Sequence, residues 1–492
     1  MWRLSITCGF LIVFSLVANA QRCEITLQDF GQSQGNPPLE VAINETPKHC
    51  GFLQFAWRSF VAMNWPATVS FDRSNTAKVT RALPDTTKSI GQALPSDPTV
   101  WEMFQPNWYV FTPNNPPPPG IGGWNQDAAL PSACGTIQHA AENAPGMTPA
   151  IRNSIRSLSS LSKFDPMPGV GQAFSAPLID QTGYYARYEI RMNFPAFDFI
   201  SGNQFYLASK QKAWADLGKA FDFPVQTSDK AGAIFIKAAW KTLSEDEKKS
   251  GRFHTALAFL FTPENGAGTT CAGPVTVGLV GLHIVQKTKN FPAWIWSTFE
   301  QIDNTPADPA HPGAGPWSFF KAGATAPNQK PVCPTTLTPD CKDWQPTGRH
   351  LNDKTGGPTQ AFRSNPIPAS PNQPALGDLN QAAQSALRQI SPQTEWQFYQ
   401  LVEAQWQTGP IPPPLPATPL PVFPPGKVAN LTMETYTQGS SCMACHNGAK
   451  TVDKKTRSDL TFELTLGWEP TVLPVNLVLG LHGNQPANTK KK

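Results

Sequence analysis

Residues Val275 to Gln286 read VTVGLVGLHIVQ. The β-branched content of this run suits a strand. Four neighbouring stretches share its character: Tyr184 to Met192 (YYARYEIRM), Ala233 to Leu243 (AIFIKAAWKTL), Phe253 to Phe261 (FHTALAFLF) and Ala293 to Gln301 (AWIWSTFEQ). The turns between them carry Gly, Pro and Asn. The middle third therefore predicts an antiparallel, sandwich-like sheet as the body of the protein. Residues 203–220 (NQFYLASKQKAWADLGKA) read as a helix interrupting the strands.

Helices flank this sheet. Phe52, Phe55, Ala56, Ser59, Phe60 and Met63 recur at i, i+3, i+4 spacing, the pattern of an amphipathic helix, and Pro66 stops it. Residues 99–111 are aromatic, with a short helix broken at Pro106, and residues 148–161 look helical from Thr148-Pro149. Asn114 to Gly123 (NNPPPPGIGG) has polyproline character. Residues 303–375, rich in Pro, Gly, Asn and Thr, read as surface wrapping. Beyond them, 377–408 reads as helix again, with Ser391-Pro392 as N-cap and first turn and Trp396, Tyr399, Gln400, Glu403 and Trp406 along one side. The chain has 51 Pro and 36 Gly, but also 15 Trp and 29 Phe, which argue against disorder. The fold class is α+β: a single loop- and proline-rich body with an antiparallel β-sheet core, flanking helices and a distinctive C-terminal segment.

That segment follows a proline-rich linker at 409–426 (GPIPPPLPATPLPVFPPG) and spans 427–492. It contains Ser441-Cys442-Met443-Ala444-Cys445-His446 and later Ser458 to Leu466 (SDLTFELTL), which alternates like a strand. C-x-x-C-H is the signature of covalent c-type haem attachment. Two thiols three residues apart can add to the two vinyl groups of one haem, and the next histidine is held under the iron. Three other readings compete. A thioredoxin-like pair should open a helix after a strand, whereas proline and Gly-Ser-Ser lead in here. A structural zinc site wants a second ligand pair, and no second C-x-x-C exists. A plain Cys442–Cys445 disulfide gives His446 no role. One covalent haem c is the cofactor expected, with Cys442 and Cys445 as links and His446 as proximal ligand. Too few residues follow His446 for a domain of about 100 residues, so the segment must borrow its pocket from the main body, 21–408.

Haem attachment of this kind needs export. Met1-Trp2-Arg3 is a basic start, residues 4–17 are almost wholly apolar, and Ala18-Asn19-Ala20 offers an A-x-A cleavage site, so residues 1–20 read as a signal peptide cut after Ala20. The apolar run is short for a membrane span, and no later one is long enough. A periplasmic or secreted protein without a transmembrane segment is expected. Net charge is +4, with no long basic run except Lys490-Lys491-Lys492, so nothing suggests nucleic acid. In an oxidising compartment Cys23, Cys50, Cys134, Cys271, Cys333 and Cys341 read as disulfides. The pairings weighed are Cys333–Cys341, Cys23–Cys50 and Cys134–Cys271.

The sixth iron ligand is open. No Met follows Met443. His283, beside Gly281 on an apolar strand, is the first distal candidate; a buried imidazole must find a partner. His482 in Leu481-His482-Gly483 is the second and Met433 the third, with His254 behind them. Met63 and Met103 read as core, and His49, His139, His311 and His350 as surface groups. Glu300 and Asp303, with Trp294 and Trp296, are candidates to flank a haem edge. Arg187, Arg191 and Lys237 are candidates for its propionates, with exposed strand charges as the plainer reading. No Ser-His-Asp pattern, P-loop or dinucleotide fingerprint stands out.

Phe55 to Pro66 (FAWRSFVAMNWP), Gly281-Leu282-His283-Ile284-Val285, Trp294 to Glu300 (WIWSTFE) and Met433-Glu434-Thr435-Tyr436 together resemble a family of large proteobacterial cytochrome c proteins with one haem site. The resemblance covers most of the mature chain. It implies periplasmic haem binding and electron transfer with a redox partner protein or a small-molecule electron donor or acceptor. Similar sequences often carry His where Gln301 stands, and this departure leaves His283 ahead as distal candidate. The rival expectation is a haem-dependent oxidoreductase, peroxidase- or oxygenase-like, with an open distal site; the length of the chain favours it.

Overall fold

A computed structural model describes residues 23–42, 48–70, 80–92, 97–111, 117–126, 156–159, 176–264, 268–308, 310–324, 327–330, 357–367, 375–409, 422–423 and 426–469. The predicted strands form: β5 (Arg187–Met192), β6 (Ile234–Thr242), β7 (Thr255–Glu264), β8 (Gly268–Gln286) and β9 (Ile295–Gln301). Three short strands, β1 (Ala67–Ser70), β2 (Thr80–Pro84) and β3 (Gln105–Pro106), precede them, with β4 at Arg156–Ser159; β10 (Tyr399–Gln407) and β11 (Val422–Phe423) follow. Apart from a β1–β2 ribbon, they make one nine-stranded sheet in the order β11-β10-β9-β8-β6-β5-β3, with β7 on β8 and β4 on β7. The pairs are antiparallel except β4–β7. Among the described residues the sandwich expectation is thus corrected to one main sheet. Long β8 explains why: one of its edges carries β6, while the other carries β7 along the first half and β9 along the second.

Register sorts side chains to two faces. Leu282 pairs with Phe299 and faces the helices. There Trp57 and Phe60 of helix Lys48–Met63 lie 5.2 and 4.5 Å from the Phe299 ring. Asn380 of helix Ala375–Ile390 accepts from Trp57 Nε1 at 3.1 Å and pairs with the Leu401 backbone through both amide atoms. Helix Lys48–Met63 is buried on nearly all sides rather than on one stripe, because sheet and helix enclose it. The other face carries Lys237, His283 and Thr298, cross-strand neighbours, and is covered by residues 427–466.

Four further expectations are corrected. Residues 399–407 are strand β10, not helix; every residue from Leu401 to Gln407 is buried, so both faces are packed and no solvent stripe exists. Ser458 to Leu466 is turn followed by a 3₁₀ helix at Glu463–Leu466, with Asp459 and Leu460 at positive φ, outside the extended region. Residues 156–159 of the expected 148–161 helix are strand β4, and 148–155 lie outside the described residues. The interrupting helix is confined to Ala208–Asp216, with a second, Phe194–Gly202, before it. Of the linker 409–426, residues 410–421 lie outside the described residues, while Val422–Phe423 pairs with β10. Cys23 and Cys50 are joined. Cys271 is disulfide-bonded, but Cys134, Cys333 and Cys341 lie outside the described residues.

Candidate functional site

Helix Cys442–His446 begins at Ser441, whose Oγ accepts from Ala444 N at 3.4 Å as an N-cap. One helical turn brings Cys442, Cys445 and His446 onto one side, since residues three and four apart are neighbours. The helix is tied to the sheet where Met443 N donates to Gln405 Oε1 of β10 at 2.8 Å. Cys442 and Cys445 are not joined as a disulfide, and Ser440 Oγ lies 3.0 Å from Cys445 Sγ. His446 Nδ1 lies 2.7 Å from Leu460 O. A carbonyl only accepts, so Nδ1 carries a proton, and in the neutral ring the lone pair is on Nε2. The ring packs 4.3 Å from Trp296 and 5.1 Å from Phe462, which hold its plane.

These groups line a cavity of about 350 Å³ between the C-terminal segment and the sheet, within the usual size of a small-molecule or cofactor site. Phe235, Val285, Trp294 and Trp296 give it apolar walls; Lys237, His283 and Glu434 bring polar groups to it.

His283 Nε2 is 3.2 Å from Glu434 Oε1. The carboxylate comes from a loop pressed onto the sheet. A Cβ on Gly281 would lie 2.2 Å from Thr432 Oγ1, so glycine is required for this approach. Asn430 Nδ2 donates to Thr298 Oγ1 at 2.9 Å and Phe299 O at 2.8 Å, Asn430 N donates to Glu434 Oε2 at 2.8 Å, and Tyr188 OH donates to Thr432 O at 2.6 Å. Burial pushes the Glu434 carboxyl up, but His283, then Lys237 and the Asn430 N–H, hold it below the usual range.

The other sequence candidates fall elsewhere. Met433 is fully buried in a second, smaller core with Tyr188 and Phe319 and does not line the cavity. His254 lies between Glu102 and Glu395 and stacks 4.5 Å from Trp396. His482, His139 and His350 lie outside the described residues. Glu300 is buried against Arg363 and accepts from Leu431 N, while Asp303 pairs with Arg252, so neither flanks the cavity. Arg187 and Arg191 are buried, not exposed, and Arg191 binds Glu189 and the Glu102 and Phe104 carbonyls, so of the three basic candidates Lys237 alone lines the cavity. Gln301 turns to Arg252 O and Asp303.

Sequence reasoning missed Leu460, which acts through a backbone carbonyl and leaves no side-chain signal. Glu434 carries no signal in its own neighbourhood, because its partner His283 lies 151 residues away. Among the described residues no cluster of three or more His, Cys, Asp or Glu is arranged for a bare metal ion. Comparison with family models, curated proteins and solved structures found no match. No helix among the described residues is long and apolar enough to cross a membrane.

Proposed function

We propose that the cavity holds one haem c, linked through Cys442 and Cys445 and ligated by His446 Nε2, and that the protein is an exported cytochrome that transfers electrons. The observation that carries this reading is the His446 Nδ1–Leu460 O bond at 2.7 Å in a cavity that Cys442, Cys445 and His446 line together. Histidines that bind iron ordinarily have the second nitrogen fixed in this way. When bound, haem supplies a one-electron couple. The chain's own residues do the rest: Trp296 and Phe462 hold the imidazole plane, Phe235, Val285 and Trp294 exclude water, and Lys237 offers a cation to a propionate. The disulfide and the leader agree with a periplasmic or secreted location, and the partner is a redox protein or a small-molecule electron donor or acceptor.

A second reading, a haem oxidoreductase with an open distal site, is favoured by one observation. His283 Nε2 already faces Glu434. Optical and paramagnetic resonance spectra of the purified protein, with and without cyanide, separate the readings. A low-spin ferric signal indifferent to cyanide supports the carrier; a high-spin signal that shifts supports the enzyme. Protein without covalently bound haem removes both.

A further inference from the structure

Leu460 and two residues near it hold a backbone conformation that L-residues rarely adopt: Trp294 is at φ 68°, Asp459 at φ 54° and Leu460 at φ 63°. Strain of this kind persists only where surrounding groups impose it. Here the strained residues meet one another. Trp294 Nε1 donates to Asp459 O at 3.0 Å. The Asp459 carboxylate accepts from Lys287 Nζ at 2.5 Å and from Phe223 N at 2.9 Å. Lys287 is fully buried, also reaches Asp222 at 2.5 Å, and lies 5.4 Å from the Trp294 ring centroid. A buried ion pair is a poor way to gain stability alone. This one joins the sheet body, through Lys287 and Phe223, to the C-terminal segment at the residue before Leu460, and Leu460 O is the acceptor for His446 Nδ1.

We infer that Lys287 and Asp459 form a positioning pair that fixes the Leu460 carbonyl against His446 and so sets the orientation and basicity of that imidazole. The inference rests on the haem reading above. An acceptor held on Nδ1–H shifts electron density toward Nε2, which strengthens its bond to ferric more than to ferrous iron. Losing the clamp lets the carbonyl turn away, weakens that donation and favours the reduced state. The clamp also places the ligand's support in the body.

The test compares holoprotein of wild type, Asp459→Asn, Lys287→Met and Lys287→Arg by midpoint potential, ferric paramagnetic resonance and thermal unfolding. Asp180→Asn is the control: Asp180 is equally buried, pairs with Lys241 at 3.3 Å and does not line the cavity. Asp459→Asn and Lys287→Met are expected to raise the midpoint potential and shift the ferric spectrum, with Lys287→Arg closer to wild type. Asp180→Asn is expected to lower the unfolding temperature alone. If the clamp variants behave like Asp180→Asn, with potential and spectrum unmoved, the pair is structural only and the inference falls. If Asp459→Asn does not accumulate, Asp459→Glu reads the same shift in smaller measure, and an unmoved potential in it counts equally against the pair. Wild-type protein without haem would sink the haem reading itself, and the inference with it.

Discussion

Replacing Gly281 by Ala tests how closely the 430–434 loop is pressed to the sheet. The added Cβ would lie 2.2 Å from Thr432 Oγ1 and 3.0 Å from Asn430 Oδ1. Neither neighbour is the loose end of a long chain. Thr432 O is held by Tyr188 OH, and Asn430 Nδ2 by Thr298 and Phe299. The loop must therefore lift. Overpacking in a tight core costs about 1–3 kcal/mol, and two lost hydrogen bonds add roughly 1 kcal/mol each. The expected destabilisation is about 3–5 kcal/mol, read by urea unfolding or calorimetry of wild type and variant side by side. The same movement withdraws Glu434 from His283, so any spectral property that depends on that pair should change in Gly281→Ala and in Glu434→Gln alike. An unfolding free energy within about 0.5 kcal/mol of wild type, the range of ordinary surface changes, would refute the close approach.

Two further measurements address other parts of the fold. Burial lowers the His254 pKa, but Glu102 and Glu395 outweigh it and raise the imidazole from 6.5 to about 9. Because the folded value exceeds the unfolded one, this contribution is complete below pH 6.5 and is lost as pH rises through 9. Unfolding free energy should fall by roughly 3 kcal/mol over that window, and a His254→Gln variant should lack the slope. Cys23 and Cys50 close a loop with a sequence separation of 27. Reducing that bond, isolated as the Cys23→Ser/Cys50→Ser double variant, should cost roughly 3–4 kcal/mol, and no change in stability would show the helix Lys48–Met63 to be anchored without it.

The sheet was readable because β6, β8 and β9 are rich in β-branched and aromatic residues, and the helix at Lys48–Met63 because its apolar residues recur at helical spacing. Strand β10 was not. Its Gln, Glu, Leu and Ala are helix formers, and Trp396, Tyr399, Glu403 and Trp406 fall three or four apart; pairing with β9 and packing on both faces override that pattern. The alternation in residues 458–466 misled for the opposite reason, since it belongs to a turn whose left-handed residues are held by Lys287 and Trp294 from the sheet. At the site, the Cys pair, His446 and His283 carry recognisable chemistry in their own neighbourhoods. Glu434, Leu460 and Lys287 do not, because their parts depend on tertiary contacts with distant or backbone partners.

The cavity has its walls on strands β6, β8 and β9 but its cover on residues 427–466. Synthesis runs from the N-terminus, so the walls exist before the cover. A chain that has emerged only through β9 carries Phe235, Val285 and Trp296 as neighbours on one face of a sheet with nothing yet to lay over them. An apolar sheet face of that kind invites association with other chains. Residues 427–466 therefore protect as well as line the cavity: until they dock, this apolar sheet face is open to association.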